Sequence, residues 1–240
     1  MKKNFLFLPV SLPVFIVLLV LPFAILAVLS LLEINPGPVL NHTLGLTVMQ
    51  AVALYLTVLM ASIFNVPIAE FKSRRDSETK SVPYLGQKYT LPVWHGHNTV
   101  VSLNLGGCIV ALVVAAYFVL NMPLLPVLLS IIAVSLGIYL LSKPSRSIGF
   151  YVPIYVPPLL ATLVSLIALY LYGGDLVNVA RLGFITGVTG TLLGTTLLNL
   201  PRIRKIGTSF ISIGGLGCFD GIILTGVVST IVACVIASLS

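Results

Sequence analysis

The chain has 240 residues, of which 58% are hydrophobic and only 8% charged, with a mean hydropathy of +1.13. Soluble domains carry about 25% charged residues, so the composition excludes an ordinary soluble protein and predicts an all-α polytopic membrane protein. The net charge of +7 is accordingly read as a topology signal and not as a nucleic-acid footprint.

The first run, "MKKNFLFLPVSLPVFIVLLVLPFAILAVLSLL", begins with a basic stretch like a signal peptide. Its apolar part is much longer than the roughly 7–15 residues of a signal core, and it has an internal counterpart, so it is expected to be a retained first helix. A span takes about 20 apolar residues. Seven are predicted, at about 7–32, 44–66, 99–120, 124–142, 151–173, 179–200 and 211–238. A cytoplasmic N-terminus puts 1–6, 67–98, 143–150 and 201–210 inside. Those segments hold every Lys and Arg of the 13 in the chain except Arg181, which is the bias expected of cytoplasmic loops. On the outer side, Asn41-His42-Thr43 forms a glycosylation sequon.

The cytoplasmic connection 67–98 alternates in character around Gly86-Gln87, which predicts a short β-hairpin. Its basic cluster is read as a solvated loop. His95 and His97 beside Trp94 are two ligands where a closed metal site needs about four, so no metal site is assigned. Cys108, Cys218 and Cys234 all lie in apolar segments. They fit neither a disulfide framework nor a zinc spacing and are expected to be buried free thiols.

The two ends of the chain look alike. "FLPVSLPVF" (7–15) aligns with "YVPIYVPPL" (151–159), "LMASIFNVP" (59–67) with "LGTTLLNLP" (193–201), and "VSLNLGGC" (101–108) with "ISIGGLGC" (211–218). The offset falls from 144 (Pro9 to Pro153) through 134 (Asn65 to Asn199) to 110 (Ser102 to Ser212). The chain is therefore read as one transmembrane domain of two parallel three-helix repeats, 7–120 and 151–238, joined by a linker helix at 124–142. Such repeats occur in transporters.

Helices 1, 4 and 5 are nearly pure hydrocarbon and are expected to face lipid. The other four carry Gln50, Thr57, Ser62, Asn65, Ser102, Asn104, Thr186, Thr189, Thr195, Thr196, Asn199, Ser212, Asp220 and Thr225. Polar groups avoid hydrocarbon, so these helices are expected to form the interior. Gly183, Gly187, Gly190 and Gly194 on helix 6, and Gly217 and Gly221 on helix 7, have the spacing of close helix contacts. Asn65-Val66-Pro67 and Asn199-Leu200-Pro201 are expected to end helices 2 and 6, since Pro disfavours helix at the preceding residue. Broken within the membrane, those ends would line a ligand cavity. Gly214, Gly215 and Gly217 would leave the start of helix 7 loosely wound and let backbone approach a ligand.

Asp220 falls about ten residues into helix 7, or roughly 15 Å from its cytoplasmic start, near mid-membrane. A carboxylate there is costly and marks either a functional site or a protonated structural group. Its repeat partner is Val110. Asp175, in the outer connection, reads as a loop residue or helix cap.

At "SLNLGG", "FNVP", "LLNLP" and "SIGGLGCFDGIILTGVV" the chain resembles an uncharacterised family of prokaryotic integral membrane proteins, domain of unknown function sixteen-fourteen. The resemblance covers most of 44–238. Its most specific stretch carries over Gly214, Gly215, Gly217, Phe219, Asp220, Gly221, Leu224, Thr225 and Gly226. Cys218 stands where the family pattern has Thr, and Thr196 where relatives often have an acidic residue. The resemblance implies a membrane protein of prokaryotic, archaeal-type origin and no activity.

The leading expectation is a multi-pass cell-membrane transporter or permease for a small solute, ion or lipid-linked molecule. Protons would couple through Asp220, with Asn65, Asn104, Thr196, Asn199, Ser212 and Thr225 around the site and Gly214, Gly215, Gly217 and Gly221 allowing backbone approach. The alternatives are an aspartyl-protease-like hydrolase, which needs a second carboxylate, and a non-catalytic scaffold. Membrane lipids are expected partners and a homo-oligomer is compatible; no cofactor or nucleic-acid motif is found.

Overall fold

Apolar chain without water has to satisfy its own backbone, and most of this one does so by coiling. A computed structural model describes residues 11–72, 82–84, 87–89, 98–145, 149–202, 210–215 and 219–239. The helices are α1 (Leu12–Leu31), α2 (Pro36–Leu44), α3 (Val48–Ala61), α4 (Ala111–Val119), α5 (Leu124–Leu141), α6 (Val156–Leu171), α7 (Val179–Leu192) and α8 (Phe219–Leu239). A π-helical turn, Leu105–Val110, runs straight into α4, and another, Leu193–Leu197, continues α7. Among the described residues, Leu12–Leu31, Leu124–Leu141 and Leu176–Arg202 are long and apolar enough to cross a membrane. A fourth is added if α2 and α3, bent by 69°, count as one span.

The connection before α3 is itself helical. The Asn35 side chain accepts from the Gly37 amide at 2.9 Å, Pro36 fits the first turn, and Gly45 ends α2 in the left-handed region at φ 67°. The sequon therefore lies on a helix, with Thr43 buried and its hydroxyl bonded to the Val39 carbonyl. Gln50, expected in the polar interior, instead closes a capping box with Thr47 at the start of α3.

The all-α expectation needs its main correction at the predicted starts of helices 3 and 7. Asn98–Asn104 is a strand, β4, and Phe210–Ile213 another, β7. Their β-branched and aromatic residues suit a pleated, enclosed surface. With β1 (Asn65–Lys72) they form a sheet ordered β1-β4-β7. β1 runs antiparallel to β4, and its ladder shifts between Pro67 and Ala69, an edge-strand place where proline's missing N–H is tolerated. β4 runs parallel to β7, with Val101 opposite Ile211, Ser102 opposite Ser212 and Leu103 opposite Ile213. The strand register thus has the offset of 110 that aligns the two similar sequence stretches. The expected hairpin is present as β2 (Val82–Tyr84) and β3 (Gln87–Tyr89), with residues 85–86 between them. A second hairpin pairs β5 (Lys143–Ser145) with β6 (Gly149–Tyr151).

α7 is the enclosed centre, packed on α4, α5, α6 and α8. Its glycines serve close contact, as expected, but against two neighbours. A side chain at Gly183 would strike Ser229 and one at Gly187 would strike Thr225, both on α8. Gly190 and Gly194 instead face Val134, Ser135 and Ile138 of α5, and Gly221 faces Pro157 of α6. Helices 4 and 5 of the sequence reading therefore do not only face lipid. Ser130 and Ser135 on α5, and Thr162 and Ser165 on α6, are buried. Thr162 bonds Ser229 at 3.1 Å and Ser165 bonds Thr186 at 3.2 Å. Such bonds between membrane helices contribute about 0.6 kcal/mol each, sometimes more. α1 keeps its expected place, with only Phe15, Leu18, Pro22 and Leu29 buried. Cys108 and Cys234 are buried free thiols; Cys218 lies outside the described residues.

Gly187→Leu should therefore destabilise the bundle by about 1–3 kcal/mol through overpacking against Thr225. Leu163→Val on the exposed face of α6 should change little. Heating both variants in detergent and following the monodisperse fraction by gel filtration checks this; equal loss from both would refute the α7–α8 contact.

Candidate functional site at the strand–helix junctions

Three passages between helix and strand meet in one place. α3 stops at Ala61, and Asn65 opens β1; Asn104 closes β4 and caps the π turn; Ser212 sits in β7 before the chain turns into α8. Asn65 is directly opposite Asn104 in the ladder, and Ser102 is opposite Ser212. Asn65, Asn104 and Ser212 are buried, at 1%, 0% and 6% exposure.

Their hydrogen bonds fix one another. The Asn104 Nδ2 donates to the Ser62 carbonyl at 2.6 Å and to Asn65 Oδ1 at 3.2 Å, while its Oδ1 accepts from the Gly107 amide at 2.7 Å. A carbonyl can only accept and an amide N–H can only donate, so the Asn104 side chain has a single workable orientation. That in turn requires an oxygen on Asn65 facing it, and the Ser212 hydroxyl donates to the same Oδ1 at 2.5 Å. The Asn65 Nδ2 is left facing elsewhere, buried and with no hydrogen-bond partner among the described residues. An unmade buried bond costs about 1–3 kcal/mol.

Glycines make the junction possible. A side chain at Gly106 would fall on the Val58 carbonyl at the end of α3, and one at Gly107 on the Gly214 carbonyl and the Phe219 ring. Gly214 has φ +74°, a conformation that favours glycine. A side chain at Gly215 would meet that of Ser212. The Phe219 amide donates to the Gly215 carbonyl at 2.9 Å, which begins α8.

The structure thus gathers Asn65, Asn104, Ser212, Gly214 and Gly215 and sets the other expected residues apart. Asn199 lies beside the π turn of α7, where its Nδ2 donates to the Gly194 carbonyl at 2.8 Å and Ser142 Oγ at 3.0 Å, and its Oδ1 has no partner. Thr196 is in the same turn, 3.4 Å from Thr195 by their hydroxyls. Thr225 is spent on the α7–α8 contact, its hydroxyl donating to the Gly221 carbonyl at 2.7 Å. Gly221 serves packing against Pro157. Gly217, His95 and His97 lie outside the described residues, as does the side chain of Asp220. The backbone of Asp220 is the second residue of α8. It is therefore in the first turn of a helix, where a carboxylate is favoured by the helix dipole, and not ten residues into one. Asp175 is the expected cap, accepting from the Val177 amide at 3.0 Å. No cluster of three or more metal-ligating side chains occurs among the described residues.

Sequence reasoning missed the Ser62 carbonyl and Gly106–Gly107 as parts of this junction. The "NLGG" stretch was visible, but only the pairing of β4 with β1 gives it a role. An apolar cleft of about 160 Å³ also went unforeseen; it lies between α1, α2–α3 and α8 and is lined by residues including Leu26, Leu40, Tyr55, Val58 and Ile223. Val58, at one end of it, accepts from the Ser62 amide, so the cleft ends one helical turn from the polar junction.

Asn104→Asp would set a carboxylate oxygen against the Ser62 carbonyl and Asn65 Oδ1, and should cost about 3 kcal/mol or more. Ser212→Ala removes one donor and should cost about 1 kcal/mol. Unfolding in mixed micelles should rank them in that order; the reverse order would refute the hydrogen-bond assignment.

No match to the chain is found among curated proteins or among solved structures. A family model described as protein of unknown function, DUF1614, matches residues 59–232, which span every residue of the junction. The chain belongs to that family.

Proposed function

We propose that the protein is a multi-pass cell-membrane transporter for a small solute, ion or lipid-linked molecule, with seven spans arranged as two parallel three-helix repeats about the linker α5. The observation that carries this reading is the buried junction of Asn65, Asn104 and Ser212, where three segments leave helical geometry. Discontinuous helices that meet at a neutral polar cluster are how secondary transporters build a binding site.

The span count is supported by where the connections fall. β1, β4 and β7 form one sheet, and Phe150 of β6 packs on Val101 and Ile211. These strands flank the segments that hold the excess of Lys and Arg. At the other end, Leu176 and Val177 pack in the cluster that contains Val39 and Leu40 of α2, and Arg181 donates to the Asn121 carbonyl at 3.2 Å. The repeat is supported by the shared offset of sequence alignment and strand register. Asp220 at the head of α8 is the proton-coupling group of the reading. The hydrolase alternative gains nothing from the geometry. Asp175 is followed by residues that pack near Ala233 and Cys234, so the backbones of the two residues stand near opposite ends of α8, roughly 20 Å apart at 1.5 Å per residue.

Purified protein in liposomes with an internal pH-sensitive dye should carry protons when a transported solute is added, and Asp220→Asn should reduce that flux at least about tenfold while the protein still reconstitutes as a single species. Undiminished flux in the variant would remove Asp220 from the mechanism. Pro144→Cys and Tyr172→Cys should react with an impermeant thiol reagent from opposite faces of the membrane. Labelling of both from one face would overturn the span count.

A further inference from the structure

We infer that the unpartnered Asn65 amide is the recognition point for an oxyanion, the carboxylate or phosphate end of the transported solute. The inference names the solute class of the proposed transporter and rests on that reading for its transport role. The site itself stands on three observations at the junction.

The first is the donor. Asn65 Nδ2 is buried, has no partner among the described residues, and is held in orientation by a chain of bonds that ends on two backbone groups, the Ser62 carbonyl and the Gly107 amide. It cannot turn its oxygen outward without losing the bonds from Ser212 and Asn104. Any ligand that satisfies it must bring an acceptor.

The second is the field. The helix Leu105–Val119 begins at its cap Asn104, and α8 begins at Phe219. The two starts touch, because Gly107 abuts both the Gly214 carbonyl and the Phe219 ring. Each helix start carries the equivalent of roughly half a positive charge, and neutral N–H donors at such ends bind anions without Lys or Arg.

The third is access for backbone. A side chain at Gly215 would come within 3.5 Å of Asn65 Oδ1, and Gly214 takes a left-handed conformation that a side chain would strain. Glycines leave room here for backbone to come close to a ligand.

The test reads binding at the side chain itself, with no membrane gradient. Protein labelled with ¹⁵N on asparagine side chains, in lipid nanodiscs, is titrated with sodium acetate, sodium phosphate and tetramethylammonium chloride. The Asn65 side-chain amide resonances, identified by their loss in Asn65→Asp, should shift and saturate with acetate or phosphate and stay still with tetramethylammonium. Whichever of the two anions binds more tightly identifies the carboxylate or the phosphate class. Asn65→Asp keeps an acceptor toward Ser212 and Asn104 while removing the donor, and should weaken the preferred anion at least tenfold, as read from the neighbouring Asn104 side-chain resonances. Resonances that ignore both anions in a folded protein would overturn the inference, as would affinity unchanged in Asn65→Asp. Solute flux without any shift at Asn65 would remove this site and leave transport standing. Saturable shifts without flux would keep the site and remove the transporter.

Discussion

A chain that abandons the helix inside an apolar bundle has to find a partner for each backbone group it releases, because hydrocarbon supplies none. Asn104 is where this constraint is met. One side chain takes the Gly107 amide that the π turn leaves over and returns a donor to the Ser62 carbonyl at the frayed end of α3. The parallel pairing of β4 with β7 then satisfies the other strand edge. Remove that amide and α3, β4 and the start of α4 each lose an end, which is why the rest of the junction depends on it.

The same Asn-x-Pro motif is used in two different ways. At Asn199 the side chain turns back on its own helix, onto the Gly194 carbonyl, so the motif stops α7 and lets a new helical turn begin. At Asn65 the side chain reaches across to other strands, and Pro67 falls beside a ladder shift on an edge. One asparagine is left with a spare acceptor and the other with a spare donor. Equivalent sequence has acquired opposite polarity, and the partner elements, not the motif, decide which.

Hydropathy made the apolar helices legible, and loop charge predicted which connections belong together. Proline and glycine signals around Asn35-Pro36 and Gly45 contained α2, but they were overshadowed by the search for long spans. The strands were hidden for a physical reason: a short β-branched run enclosed on both faces has no alternation and reads like the start of a helix. Asn65, Asn104 and Ser212 could be picked out because polar side chains are rare in such a chain. Their mutual bonding could not, since it requires the parallel register. The helical count to Asp220 met the same strand, because counting 1.5 Å per residue through Phe210–Ile213 presumed a helix that is not there.

The sheet also sets the mechanics. Its ladder joins the early and late halves of the chain edge to edge, so these halves cannot slide apart at that end without breaking main-chain pairs. Further along, the same two halves are separated by the apolar cleft between α1, α2–α3 and α8. α3 is pinned at Ser62 by the junction and meets α2 at a bend of 69°. The halves are thus joined at the polar cluster and parted beyond it by a seam lined with hydrocarbon, in the outline of a pair of tongs.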